Sequence, residues 1–293
     1  MTLPGGHARG IMLAAGGMVL ISPDGLLYRL VDLNDLQVLF WRGLFSAAAL
    51  CLWVQFSRPG GLPGAVRAGG LALLACVLLL SVETVFFVMS IMRTTVANTV
   101  VIFSTTPLFA ALMAMFFLRQ RVGPGTWLAI ACAMTGVAII FSGSLGGGSL
   151  TGDLLAVASA VTLAGNLTII RARPETSMPA ALGLSAVVIA CVMGATVDIG
   201  LPSAKDLAVT FAMGVVIQGL AFSMLLAAAR YLPPAETALF VLLESVLGPL
   251  WAWLGVGEVP ATVAFVGGAL IITALGARSG AMLARQPGAA TGG

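Results

Sequence analysis

Four charged side chains stand inside segments that otherwise hold apolar and small residues: Asp24, Arg42, Glu83 and Glu244. In hydrocarbon such a charge costs about 2.5–3.5 kcal/mol on insertion scales, so each needs a partner or a task. Glu244 lies five residues before Pro249. It suits a substrate-amine or proton site facing a central cavity, or a structural carboxylate bonded to a neighbouring helix. Glu83 precedes Thr84 and the Phe86-Phe87 pair. It suits the same cavity, with the aromatics packing on an apolar substrate, or an ion pair with Arg93 near the helix end. Arg42 offers a two-pronged donor for a substrate carboxylate. Its structural alternatives are snorkelling to the interface or a fixed pair with Asp24 or Asp35. Asp24 lies in Ser22-Pro23-Asp24-Gly25, a turn-like stretch inside an apolar run. Irregular backbone at membrane depth is tolerated only within protein or beside a cavity. Asp24 and Pro23 are therefore candidates for a gate or helix break, with a simple helix cap as the plainer reading.

Uncharged polar residues form a second group. Asn98, Ser104, Thr105, Thr106, Asn166, Gln218 and Ser245 fall within apolar spans and should turn toward other helices. Asn98, Asn166 and Gln218 are candidates to contact a zwitterion. Ser245 and Trp41 lie beside the charged candidates. Pro107 and Pro249 mark two further helix-break candidates. Catalytic chemistry has little to work with. The one histidine, His7, lies in the N-terminal tail, so a histidine-based zinc site or triad inside the membrane is ruled out. No G-x-S-x-G or P-loop pattern occurs. Cys51, Cys76, Cys132 and Cys191 are scattered singly through apolar spans, as small buried residues would be. No enzyme activity, metal or cofactor is expected.

The elements that must position these residues follow from composition. The 293 residues are 59% hydrophobic and 9% charged, with mean hydropathy +1.08. A soluble domain is about 45–50% apolar and about 25% charged; here the solvent is lipid. Ten apolar stretches, each near the roughly 20 residues a crossing requires, run over 11–31, 36–56, 68–92, 95–118, 124–142, 152–171, 180–200, 206–229, 235–255 and 260–279. Their continuity selects helices over barrel strands. With the N-terminus placed in the cytoplasm, Arg9, Arg58, Arg67, Arg119, Arg121, Arg171, Arg173, Arg230, Arg278 and Arg285 fall on that side. Arg29, Arg93 and Lys205 fall on the other. That bias predicts both termini cytoplasmic in a multi-pass protein, and a bacterial inner membrane is the expected location. The net charge of +3 reflects this sidedness, and no nucleic-acid partner is expected.

Gly143-Ser144-Leu145-Gly146-Gly147-Gly148-Ser149 divides the chain near its midpoint. The expected organisation is a tail over 1–10, a first five-helix repeat over 11–142, a linker over 143–151, a second repeat over 152–279 and a disordered tail over 280–293. A shift of 138 residues lays Ala97-Asn98-Thr99 on Ala235-Glu236-Thr237 and brings Pro107 within one helical turn of Pro249. Related halves of five crossings each must insert in opposite directions. The fold class expected is an all-α integral membrane protein, ten helices in two inverted five-helix repeats around a central cavity.

Several stretches carry a family likeness: Ala14-Ala15-Gly16-Gly17, Leu39-Phe40-Trp41-Arg42-Gly43, Gly152-Asp153-Leu154-Leu155-Ala156 with Ile170-Arg171-Ala172-Arg173, and Glu244-Ser245-Val246-Leu247-Gly248-Pro249 followed by Gly257-Glu258-Val259. Over about residues 11–279 the chain resembles the drug/metabolite transporter superfamily, in its EamA-type branch. It departs from that pattern at Arg119-Gln120-Arg121, at Asp24 and at Glu244-Ser245. The resemblance implies a secondary transporter that exports small metabolites, amino acids first, by alternating access. The Trp41-Arg42 pair is similar to that of aromatic amino-acid exporters. Spans five and ten would then be fixed packing elements or the contact of a homodimer. The alternatives are a multidrug or nucleoside exporter of the same fold, or a membrane scaffold or receptor that transports nothing.

Overall fold

The structure is a computed structural model that describes residues 6–94, 96–141, 149–196, 198–256 and 262–284. Every regular element among them is helical. In chain order the crossings are α1 (Gly6–Ile21 continuing as Asp24–Leu30), α2 (Asp35–Ser57), α3 (Gly61–Arg93), α4 (Val96–Phe103 continuing as Thr106–Phe117) and α5 (Pro124–Phe141). The second set is α6 (Leu150–Ala172), α7 (Met178–Thr196), α8 (Ala204–Ala212, Met213–Ala221 and Phe222–Ala228), α9 (Pro234–Val241 continuing as Glu244–Val256) and α10 (Thr262–Ala284). The helices extend beyond the apolar runs. Residues 6–10 and 280–284, expected in the tails, are helical, because nothing in those stretches breaks the helix. The turn at Gly257-Glu258-Val259 and most of the glycine-serine segment lie outside the described residues. Phe56, Leu71, Phe116 and Phe117 point outward and are largely exposed, as they would be against lipid tails.

The packing has an internal two-fold. The helix α2 packs on α7, α5 on α10 and α4 on α9, while α3 packs on α6 and α1 on α8. Exchanging the halves maps each of these pairings onto itself or onto another member of the set. Each half holds five crossings, so the axis lies in the membrane plane and the repeats are inverted. Small residues permit the close approaches that drive association in lipid. A Cβ on Gly136 of α5 would stand 2.7 Å from the Gly267 carbonyl of α10.

Among the described residues three crossings are broken near mid-depth, and two of the breaks use one device. Pro107 cannot donate a backbone hydrogen bond, which orphans the Phe103 carbonyl four residues back. The hydroxyl of Thr106 donates to that carbonyl. In α1, Pro23 orphans the Val19 carbonyl, and the Ser22 hydroxyl donates to it at 2.7 Å. The α4 break lies at residues 104–105 and the α9 break at 242–243, separated by the 138-residue offset of the repeats. Both are tight turns, with the Thr105 amide donating to Ile102 at 2.9 Å and the Leu243 amide to Phe240 at 3.0 Å. The breaks therefore precede Pro107 and Pro249, and their match is closer than that of the prolines themselves.

Thr106→Val should orphan the Phe103 carbonyl and destabilise the protein by about 1–3 kcal/mol. Thr106→Val combined with Pro107→Ala restores an amide donor and should recover most of that loss in detergent thermal-unfolding measurements. Equal losses in both variants would refute the assignment.

Candidate functional site

The helix breaks deliver carboxylates to the centre of the bundle. Asp24 begins the second segment of α1 and Glu244 the second segment of α9. A helix N-terminus is favourable for negative charge. Trp251, two turns beyond Glu244, donates from Nε1 to Ser22 Oγ at 2.7 Å and ties the two breaks together. Trp253 is exposed on another side of the same helix.

Arg42 holds the centre from α2. Its Nη1 donates to Asp24 Oδ2 at 2.8 Å and to the Tyr28 hydroxyl at 3.3 Å, while Nε donates to Gln218 Oε1 at 3.0 Å. The guanidinium carbon also lies 5.9 Å from the centre of the Tyr28 ring, within cation–π range. The ion pair with Asp24 is the structural alternative that the sequence left open. Gln218 is presented by the π-helical stretch Met213–Ala221, a geometry that recurs at functional sites. Gly214, one turn earlier, lets α8 meet the Arg42 backbone: a Cβ there would stand 2.6 Å from the Arg42 carbonyl.

Glu83 and Glu244 complete the cluster. Glu83 is buried and accepts a hydrogen bond from the Thr84 hydroxyl at 3.2 Å. Arg93 lies at the exposed end of α3, ten residues away. The Glu244 side chain has no hydrogen-bond partner among the described residues.

Asp24, Tyr28, Arg42, Glu83, Thr84, Gln218 and Glu244 share a cavity of about 110 Å³ with Met18, Ile21, Leu39, Phe87, Val88, Phe103, Leu163, Ile217, Phe222, Leu225 and Val241. Three carboxylates face one guanidinium there, against apolar and aromatic walls. A second cavity, about 390 Å³, lies between α2, α3 and α7 and is mostly apolar. Leu39 and Val88 line both cavities and form the partition between them.

Five of the sequence candidates thus meet: Asp24, Arg42, Glu83, Gln218 and Glu244. Pro23 forms the α1 break beside them. The others lie elsewhere. Trp41 packs edge-on to Phe40 at 5.2 Å, outside the cavity lining. Asn166 donates to the Cys76 carbonyl at 3.1 Å, joining α6 to α3. Asn98 stands at the end of the bundle, donating to Thr94 Oγ1 at 3.3 Å and Asp153 Oδ1 at 3.4 Å. Ser245 is buried next to Glu244 but outside the lining. Pro107 is buried behind the α4 break. Pro249 lies within Glu244–Val256, its side chain outside the described residues.

Cavity residues missing from the sequence reading include Tyr28, Phe103 and Phe222. Two carried a usable signal, since Tyr28 follows Asp24 and Phe222 follows Gln218 by four residues, one helical turn. Phe103 had no such marker.

Residues 8–142 and 150–277 each match the EamA-like transporter family. The fold is similar to a solved crystal structure of a protein at 16% sequence identity, with a TM-score of 0.82, covering 96% of this chain and 100% of that one. No curated protein matches the sequence. Two successive matches spanning almost the entire chain, on a bundle of ten helices with a polar centre, place it: this multi-pass membrane protein belongs to the EamA-like transporter family, whose members move small molecules across membranes.

Proposed function

We propose that the protein exports small amine-bearing metabolites, amino acids first, across a bacterial inner membrane by alternating access. The observation that carries this reading is the charge balance of the central cavity. With Arg42 engaged by Asp24, the carboxylates of Glu83 and Glu244 are left to receive a cationic group. Arg42 Nη2 has no partner among the described residues and is free to take a substrate carboxylate. The tyrosine and phenylalanine walls suit an apolar side chain. A cavity of about 110 Å³ falls below the roughly 300–1,000 Å³ usual for drug-sized ligands, which favours a small solute over a multidrug or nucleoside substrate. The adjoining 390 Å³ space gives a released apolar group a way out once Leu39 and Val88 part. The arginine bias supports cytoplasmic termini, which turns the second cavity toward the outside. In this scheme α5 and α10 stay fixed and the remaining helices of each repeat tilt.

Glu244 is the proposed proton and amine acceptor. Glu244→Gln in proteoliposomes should lower aromatic amino-acid flux at least about tenfold and uncouple the remainder from an imposed proton gradient. Flux that is unchanged and still follows the gradient would remove Glu244 from the mechanism.

The Arg42–Asp24 pair supports the cavity as well as the solute. Arg42→Gln leaves Asp24 uncompensated and should cost about 3–5 kcal/mol of stability. The double variant Asp24→Asn with Arg42→Gln should recover most of the unfolding temperature while flux stays low. A double variant as unstable as the single would sink the pairing argument.

A further inference from the structure

Gly10 and Gly152 occupy matching places in the two repeats. A Cβ on Gly10 would lie 2.8 Å from Leu232 Cγ and from Tyr231 Cβ. A Cβ on Gly152 would lie 2.7 Å from Thr94 Cβ and 2.8 Å from the Thr94 amide nitrogen. Arg93-Thr94 and Tyr231-Leu232 correspond under the 138-residue offset. The first contact closes α1 onto the α8–α9 turn at the face bearing the N-terminal end. The second closes α6 onto the α3–α4 turn at the opposite face. The protein thus has two closures of one shape, one at each mouth of the central cavity.

Their chemistry differs. At the opposite face the Thr94 hydroxyl donates to Asp153 at 2.8 Å, and the Asn98 amide reaches the same oxygen. The counterpart of Asn98 in the second repeat is Glu236, which is only 4% exposed. Its carboxylate accepts from the Arg278 guanidinium of α10 and from the Thr126 hydroxyl of α5 at 3.4 Å. His7 of α1 stands 4.0 Å away. Arg171 of α6 donates to the Arg230 carbonyl in the α8–α9 turn at 2.6 Å. The space beside Glu236 and Arg278 is about 10 Å³, too small for a solute, so this cluster seals and does not bind.

We infer that Glu236 is the pin of the gate at the N-terminal face: its ion pair with Arg278 locks the moving helix α9 to α10, and that face opens when the pair parts. The opposite gate is held by neutral donors around one carboxylate, and the ion pair at that face, Lys205 with Asp32 at 3.5 Å, is largely exposed. Glu236 touches no solute and is a positioning residue. The inference rests on the alternating-access reading, and its test reads helix position, not flux.

The test uses the full chain in oriented liposomes, with the four native cysteines replaced by alanine and a reporter introduced by Leu225→Cys in the central cavity. Labelling by a water-soluble maleimide is timed from each side. Glu236→Gln should speed labelling from the N-terminal face at least fivefold and slow it from the other. Glu236→Asp should keep parental rates, and the charge swap E236R/R278E should return the rates toward parental. Should E236Q fail to give a monodisperse protein, R278Q breaks the same pair and should give the same rise. Parental labelling in a folded E236Q or R278Q protein, or a swap that labels like the single variants, would overturn the gate. Loss of amino-acid flux with labelling as expected would overturn the substrate reading alone.

Discussion

Hydrocarbon offers no hydrogen-bond partner, so every carbonyl that leaves a transmembrane helix ladder must be answered from within the protein. The rest of this structure depends on how that is done. Prolines open α1 and α4, and in each the hydroxyl of the preceding residue takes up the released carbonyl. Because the cost is met locally, the helices can be broken at mid-depth without water. The breaks then become usable, since a helix that restarts inside the membrane has a free N-terminal end able to carry an acidic side chain. Asp24 and Glu244 sit at two such ends.

The centre built this way is asymmetric in charge although the scaffold is symmetric in shape. The residue matching Glu244 in the first repeat is Thr106, whose hydroxyl is spent on the backbone. The second repeat brings Gln218 through a π-helical stretch that its counterpart in α3 lacks. The first repeat brings Arg42, Glu83 and the α1 break. Each half thus supplies what the other does not, and the polar cluster exists only where α1, α2, α3, α8 and α9 meet.

The architecture was legible in the sequence because lipid imposes it. Apolar runs of crossing length follow from the solvent, the 138-residue offset marks the repeat, and ten helices in two inverted sets result. The charged members of the centre were legible for the same reason, since a charge in hydrocarbon must have a function or a partner. Hydropathy carries no information about rotation around a helix axis. Asn98, Asn166 and Gln218 are equally polar interruptions, yet one reaches Asp153 at the end of the bundle, one joins two helices and one meets Arg42. The position of the breaks was obscured by a different effect. In α4 the proline disturbs the carbonyl four residues before it, so the turn lies upstream of the residue that marks it, whereas the α9 turn at 242–243 lies outside the reach of Pro249. Glu236 was visible only as the partner of Asn98 in a repeat alignment, and its burial among arginines from distant segments comes from tertiary packing.

The broken crossings also bear on how the protein is made. The longer segment of α4, Thr106–Phe117, has 12 residues and rises about 18 Å at 1.5 Å per residue, well short of a hydrocarbon layer of about 30 Å. Neither piece spans the layer alone, so the crossing needs both, held together through the turn at residues 104–105. Its principal neighbours, α6 and α9, are synthesised later, so the packing around this broken crossing is completed only when the second half is in place.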